Sequence, residues 1–230
     1  MDLHDYRPAP RVTARIRKVD FVAVVGPTAV GKTTLIKAAV ERAPKELHML
    51  VGGTSRDPRP GEYEGVDFHF GSKSGMLARA GKGEYATLAV GATGDIYTTA
   101  PEDYPPGKTA LLAVLAYVVP DFRKLPYKSF RTIFVQPPDY LTWQERLKRH
   151  NFDAPQLRKR LIEAEQSLLF ALEDESVQFV INGAVDVAAE DLAAHALGRK
   201  LDGRRQADQS RGRVLAGEFL LELRRALGQT

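Results

Sequence analysis

Eight residues, Gly26-Pro27-Thr28-Ala29-Val30-Gly31-Lys32-Thr33, follow the pattern G-x-x-x-x-G-K-T. Glycines at both ends let a backbone wrap with its N–H groups turned inward, and a helix that begins there adds the positive end of its dipole. The product is a phosphate cradle. In such a loop Lys32 reaches the β- and γ-phosphates of a nucleoside triphosphate, and the hydroxyl of Thr33 ligates Mg²⁺. Gly26, Thr28, Ala29, Val30, Gly31 and Thr34 complete the expected triphosphate contacts. A second group, Arg56 and Arg59, stands three residues apart in a proline-containing turn. Two rigid guanidinium forks at that spacing suit a single phosphate, the competing reading being a solvated basic loop.

The flanks of the first motif are those a cradle needs. Phe21-Val22-Ala23-Val24-Val25 reads as a buried strand, and Thr34–Arg42 reads as a helix that stops at Pro44. A chance turn in an Ala/Gly-rich stretch leaves both flanks unexplained. A second strand is expected near His48–Gly52. From Gly53 to Ala100 the chain turns rich in Gly, Arg and Tyr. Short strands are expected there at Asp67–Phe70 and Glu84–Val90 with a helix, Lys73–Ala80, between them. Lys108–Leu115 and Thr132–Gln136 read as central strands, and a helix follows from Tyr140 to Arg149. Asp153 caps the next helix, with Pro155 in its first turn and Gln156 at the reciprocal position. In that helix Leu157, Leu161, Ala164, Leu168 and Ala171 share one face. Val177–Ile181 is the last strand and Val185–Leu197 the last core helix. Strands alternating with helices after such a loop imply an α/β fold, a parallel sheet with helices on both faces. Gly203–Gly212 reads as a polar linker. Leu215, Phe219, Leu220, Leu223 and Leu227 then form a stripe that either packs on its own core or serves a dimer.

The chain has 230 residues, enough for one sizeable α/β domain with small appendages. A net charge of +4 suits phosphorylated small molecules and equally nucleic acid, so charge alone selects neither. The basic N-terminal arm lacks interleaved aromatics, which disfavours nucleic acid. Without cysteine there are no disulfides, thiolate nucleophiles or zinc–thiolate sites. No apolar run reaches membrane-spanning length and no signal peptide is recognisable, so a cytoplasmic enzyme is expected, as a monomer or homodimer. The five histidines are scattered; His69, between Phe68 and Phe70, is expected on the strand face opposite the two aromatics.

The segment Thr54-Ser55-Arg56-Asp57-Pro58-Arg59-Pro60-Gly61-Glu62, followed by Gly65-Val66-Asp67-Phe68-His69-Phe70, resembles the T-T-R-x-P-R-x-G-E and G-x-D-Y-x-F run of guanylate kinases. Gly83-Glu84-Tyr85 resembles their G-E-F, and Ile133-Phe134-Val135-Gln136-Pro137-Pro138 their I-F-I-x-P-P. Arg160-Leu161 with Ala164-Glu165 resembles their R-L-x-x-A-x-x-E. The likeness spans residues 19–200. It implies a monophosphate-binding α+β insertion at 53–100 and a helical lid at 147–158, between an extension at 1–18 and a linker plus terminal helix at 201–230. It also implies ATP and Mg²⁺ as cofactors and a nucleoside monophosphate, (d)GMP first, as acceptor. By the same resemblance Arg56, Arg59, Phe68, Thr87, Tyr97 and Thr99 face the acceptor. Arg146, Arg149 and Arg160 match arginines that close over the triphosphate in the family.

The departures matter as much. The Glu that reads guanine, two residues after the aromatic of G-E-F, is Thr87 here. The L-D-I-D strand end is Leu112-Ala113-Val114-Leu115, without either carboxylate. Phe68 keeps the ring of the family tyrosine and loses its hydroxyl. The stretch between Tyr85 and Tyr97 carries one extra residue, with Gly94-Asp95 at its turn, so Asp95 or Thr87 is a candidate for base recognition. Two other readings stay open: a kinase for another or modified phosphorylated acceptor, and a non-catalytic interaction module of the same fold. The intact Gly31-Lys32-Thr33 favours an enzyme.

Overall fold

The computed structural model describes residues 6–59, 61–91 and 94–228. Residues 1–5 of the extension, Pro60 of the arginine turn, and Ala92-Thr93 in the stretch that carries the extra residue lie outside the described residues. The chain divides into two compact units. One comprises Met1–Phe21, His48–Leu112 and Pro120–Phe130, the other Val22–Leu47, Ala113–Val119 and Arg131–Thr230.

β1 (Asp20–Val25) passes from the first unit into the second at Val22 and is solvent-free from Phe21 onward, the burial that a β-branched run acquires when both faces are covered. It leads through the Gly26–Gly31 loop into α2 (Lys32–Arg42). The rest of the unit is β8 (Ser129–Gln136), α5 (Tyr140–Lys148), α6 (Ala154–Glu173), β9 (Gln178–Ile181), α7 (Val185–Ala196) and α8 (Gly203–Ala226). Asp139 caps α5 by accepting the Thr142 N–H at 2.7 Å. Asp153 caps α6 by accepting the Gln156 N–H at 2.8 Å. In the first unit α1 (Pro10–Ile16), β2 (Leu47–Met49), β7 (Thr109–Ala113) and α4 (Val119–Arg123) accompany the insertion, which contains β3 (Gly53–Thr54), β4 (His69–Phe70), α3 (Lys73–Gly81), β5 (Thr87–Val90) and β6 (Ile96–Thr99). One five-stranded sheet follows the order β2-β7-β1-β8-β9, and β8 and β9 run parallel with Gln136 opposite Ile181. The fold is α/β with a parallel central sheet flanked by helices.

Three segments differ from the sequence expectation, each for a local reason. The strand expected at Asp67–Phe70 shrinks to His69–Phe70, because Asp67 closes a turn by accepting the Tyr63 N–H at 3.0 Å. The strand expected from Glu84 begins only at Thr87. Its approach is held by the N-terminal arm: Ala9 N–H donates to the Gly83 carbonyl at 2.9 Å, and the Tyr6 hydroxyl accepts from Tyr85 N–H and donates to its carbonyl. The arm itself carries α1, with Val12 and Ile16 buried. Finally, Gly203–Gly212 is no linker but the first half of α8. Asp202 caps it through the Arg205 N–H, and Arg204 and Arg205 pair with Asp191 of α7.

The apolar stripe of α8 lies on its own unit, against α6 and β9, with Phe219, Leu220 and Leu223 buried. Gln209 caps the outer edge of β9, the last strand of the sheet: its Oε1 accepts the Phe179 N–H at 2.6 Å and its Nε2 donates to the Val177 carbonyl at 3.0 Å. Gly212 permits the close approach, since a Cβ there would stand 2.5 Å from Phe179 Cβ. No described helix is long and apolar enough to cross a membrane.

Candidate nucleotide-binding site

The glycine-rich loop expected to cradle the triphosphate follows the end of β1. Gly26 and Gly31 have φ of +142° and +94°, and Ala29 joins them at +64°. Side chains are excluded at both glycines, because a Cβ on Gly26 would meet the Val135 carbonyl at 2.6 Å and one on Gly31 the Asn182 amide at 2.7 Å. The loop carbonyls are tied back. Lys32 Nζ donates to those of Gly26 and Pro27 at 2.7 and 2.9 Å, Trp143 Nε1 to that of Thr28 at 2.8 Å, and Asn182 Nδ2 to that of Val30 at 2.7 Å. Carbonyls held behind the loop leave its N–H groups for the phosphate side. Thr33 and Thr34 are exposed in the first turn of α2.

Desolvation pushes the Lys32 ammonium down to about 8; the Glu163 carboxylate pulls it up and the Arg160 guanidinium pushes it further down. Lys32, Arg160 and Glu163 are therefore gathered in one electrostatic cluster, with Arg160 Nη1 donating to Glu163 Oε2 at 2.6 Å. Phe152, in the connector between α5 and α6, lies 5.7 Å beneath the Arg160 guanidinium and stacks on His150. Arg149 is exposed where α5 ends. Arg146 turns to the loop instead, donating to the Asn182 carbonyl at 3.0 Å and to that of Val30 at 3.4 Å. Glu163, Trp143 and Asn182 were absent from the sequence reading; only Glu163 carried a signal, its three-residue spacing from Arg160 on one helix.

The residues expected to face the acceptor lie in the other unit, on or beside one face of the sheet β4-β3-β6-β5. Register places Thr54, Phe70, Tyr97, Ala89, Thr87 and Thr99 on this face, and Gly53, His69 and Thr98 on the opposite one. Arg56 presents its fork to Glu62, Nη1 to Oε2 at 2.6 Å and Nη2 to Oε1 at 2.7 Å, and the Arg59 N–H donates to the same carboxylate at 2.8 Å. The Arg56 guanidinium stacks 4.9 Å over Phe68, whose ring meets Tyr97 edge-on at 6.2 Å, and the Tyr97 hydroxyl bears on Arg56 as well. Arg56 Nε is buried with no hydrogen-bond partner among the described residues. Arg59 projects into solvent.

Thr87 and Thr99 are nearly solvent-free and belong to a hydroxyl chain. Thr87 Oγ1 and Thr99 Oγ1 are 2.7 Å apart, Thr99 Oγ1 and the Tyr104 hydroxyl 2.7 Å, and the Tyr104 and Tyr127 hydroxyls 3.0 Å. Asp95 is half-exposed beside Gly94. A cavity of about 600 Å³ opens on the opposite face, lined by His69, Arg79, Tyr85, Glu102 and Asp103. Its charges satisfy one another: Arg79 pairs with Glu84 and Glu102, and Asp103 lies 3.8 Å from His69.

A glycine-rich anion cradle with a half-buried lysine and, in the other unit, an arginine fork above an aromatic pair is the equipment of a phosphoryl-transfer enzyme. The comparisons with known proteins decide the lineage. The family model described as guanylate kinase matches residues 18–196. The chain belongs to the guanylate kinase family. It is 33% identical over 183 residues to a guanylate kinase of Nocardia farcinica, covering 77% of this chain and 93% of the relative. A guanylate kinase of Mycolicibacterium paratuberculosis is 28% identical over 204 residues, covering 86% and 88% of the two chains. The crystal structure of guanylate kinase from Anaplasma phagocytophilum superposes with a TM-score of 0.59 at 19% identity, over 81% of this chain and 88% of that one, and supports the fold. As a family member the chain is a nucleoside monophosphate kinase. The matched region ends at residue 196, before α8.

Proposed function

We propose that this enzyme transfers the γ-phosphate of MgATP to a nucleoside 5′-monophosphate, with (d)GMP the first acceptor to test. The observation that carries the reading is the Lys32 ammonium, held by two loop carbonyls and facing Arg160 at a complete phosphate cradle. In this assignment Lys32 and Arg160 stabilise charge on the transferring group, with Arg149 free to swing from the end of α5. Arg146 acts one step back, by fixing the loop. Arg56, Arg59 and Tyr97 hold the acceptor phosphate, which displaces Glu62 from the Arg56 fork. Phe68 supports the fork by stacking. No general base is needed, because a phosphate oxygen is already nucleophilic; positioning and electrostatics supply the rate.

Mg²⁺ prefers oxygen donors and keeps several waters, and the exposed Thr33 hydroxyl beside the cradle is such a donor. When bound, the ion neutralises charge on the phosphate oxygens. A second reading, transfer to another or modified nucleotide, is favoured by Thr87: its hydroxyl is spent on Thr99 where the family's guanine-reading carboxylate would stand. An ATP-coupled assay over a panel of ribo- and deoxynucleoside monophosphates separates the two. Turnover of (d)GMP above all others supports the first reading, and a different preferred acceptor the second. Absence of turnover with every acceptor, with no ATP bound, would return the chain to a non-catalytic module.

A further inference from the structure

Trp143 is the single tryptophan of the chain, and it is completely buried. Its indole N–H does not point into the core but donates to the Thr28 carbonyl of the phosphate loop at 2.8 Å. That carbonyl belongs to the peptide entering Ala29, a residue held at φ +64°, where a side chain is strained. Turning this peptide over would relieve the strain and point the Ala29 N–H away from the phosphate side. Of the tied-back loop carbonyls, those of Gly26 and Pro27 are held by Lys32 and that of Val30 by Asn182 and Arg146, whereas among the described residues Trp143 is the one donor to the Thr28 carbonyl.

The indole is in turn clamped by α8. Phe219 meets it edge-on, with ring centroids 4.8 Å apart at 71°, and Tyr140 closes the cluster at 5.7 Å from Trp143 and 5.2 Å from Phe219. Edge-to-face rings at these separations favour one orientation of the indole beyond what burial alone gives. Phe219 is itself fixed by the anchoring of α8, through Gln209 on β9, Arg213 on the Leu172 carbonyl and Arg224 on Glu165.

We infer that Trp143 is a positioning residue for the triphosphate, holding the Thr28–Ala29 peptide in its phosphate-binding orientation, and that α8, through Phe219, holds Trp143. The terminal helix, outside the matched family region, is thereby a working part of the donor site. The inference rests on the triphosphate reading of the loop.

The test uses the full-length protein and its one tryptophan. Trp143→Phe keeps a ring against Phe219 and removes only the N–H. It is expected to raise KM for ATP by about tenfold, the worth of one hydrogen bond to a buried carbonyl. KM for the acceptor should stay unchanged. Phe219→Leu should move the same constant in the same direction, by less. In the unmodified protein, saturating MgATP should shift the Trp143 emission, whereas the acceptor monophosphate alone should not. Binding of MgATP by calorimetry without any change in emission, or a Trp143→Phe enzyme with the ATP KM of the parent, overturns the inference. Failure of MgATP to bind at all overturns the donor-site reading beneath it.

Discussion

At the scale of the residue, Lys32 shows how a site can be read from its own electrostatics. Burial beside the loop carbonyls desolvates its ammonium and pushes it down to about 8. Anionic oxygens would restore the ordinary value, so binding of MgATP at pH 8 is expected to take up about half a proton per site. Affinity should decline as pH rises from 8 toward 10. Calorimetry in two buffers of different ionisation enthalpy measures this directly, and equal apparent enthalpies would refute it. The same shift has a stability sign. Because the folded value lies below the unfolded one of about 10.4, the penalty is fully present below pH 8 and is relieved as pH rises through the window between them. Lys32→Ala should consequently lower transfer by orders of magnitude while thermal stability holds or rises. Arg56 makes the contrasting case. Its fork is already matched to a carboxylate, so Arg56→Ala loses the acceptor's charge-assisted contact and also strands Glu62. Acceptor binding should weaken by about 1.5–3 kcal/mol, and Arg56→Lys should rescue little because an ammonium cannot make the two-pronged contact. Both residues were singled out from the sequence by their charge and spacing. Trp143 and Asn182 were not. Their roles depend on which backbone carbonyl they reach, and no local pattern encodes a contact 115 or 152 residues away.

At the scale of the element, the strands and helices with strong periodicity were legible: β1, α2, β8, α6 and α7 fall where hydrophobic spacing and caps put them. The exceptions are elements held by tertiary partners. The polar first half of α8 has no apolar stripe to announce a helix, yet Asp191 supplies an anchor. Burial alone would raise the Asp191 carboxyl, but hydrogen bonds from Arg204 and Arg205 override it and hold it low. Its contribution to stability is therefore present above the unfolded value near 3.9 and is lost as pH falls through the lower folded one. Asp191→Asn should lower the melting temperature at neutral pH and flatten the acid limb of the stability profile. Gln209→Ala tests the other anchor, because it leaves the Phe179 N–H and Val177 carbonyl of a buried strand edge without partners. A loss of about 1–3 kcal/mol is expected, which corresponds to several degrees in melting temperature for a chain of this size. An unchanged melting temperature would mean that water replaces the amide at that edge.

At the scale of the whole molecule, the residues proposed for the donor belong to one compact unit and those proposed for the acceptor to the other, and Thr87 and Leu115 stand where the resemblance places base-reading carboxylates. A carboxylate facing guanine accepts from its N1–H and N2–H₂ and rejects adenine, which offers no such pair. Sites that hydrogen-bond their substrate discriminate by about 10⁴–10⁵, because a wrong ligand leaves buried groups unpaired, whereas apolar or hydroxyl-lined sites do not. Here Thr87 is closed in its hydroxyl chain with Thr99 and Tyr104, and Leu115 stands at the other carboxylate position. Discrimination between GMP and AMP is accordingly expected to be weak, or the preferred acceptor to be another nucleotide. Thr87→Glu should raise the ratio of kcat/KM for GMP over AMP, since the hydroxyls of Thr99 and Tyr104 can donate to the new carboxylate. It should also lower the melting temperature, because the charge enters a site that is 2% exposed. A parent enzyme as selective for GMP as a carboxylate-bearing site would shift base reading to Asp95, and Asp95→Asn would then abolish the selectivity. If selectivity survives that change too, the base is read by neither residue, and the correspondence of the insertion with the family pattern fails between Tyr85 and Tyr97.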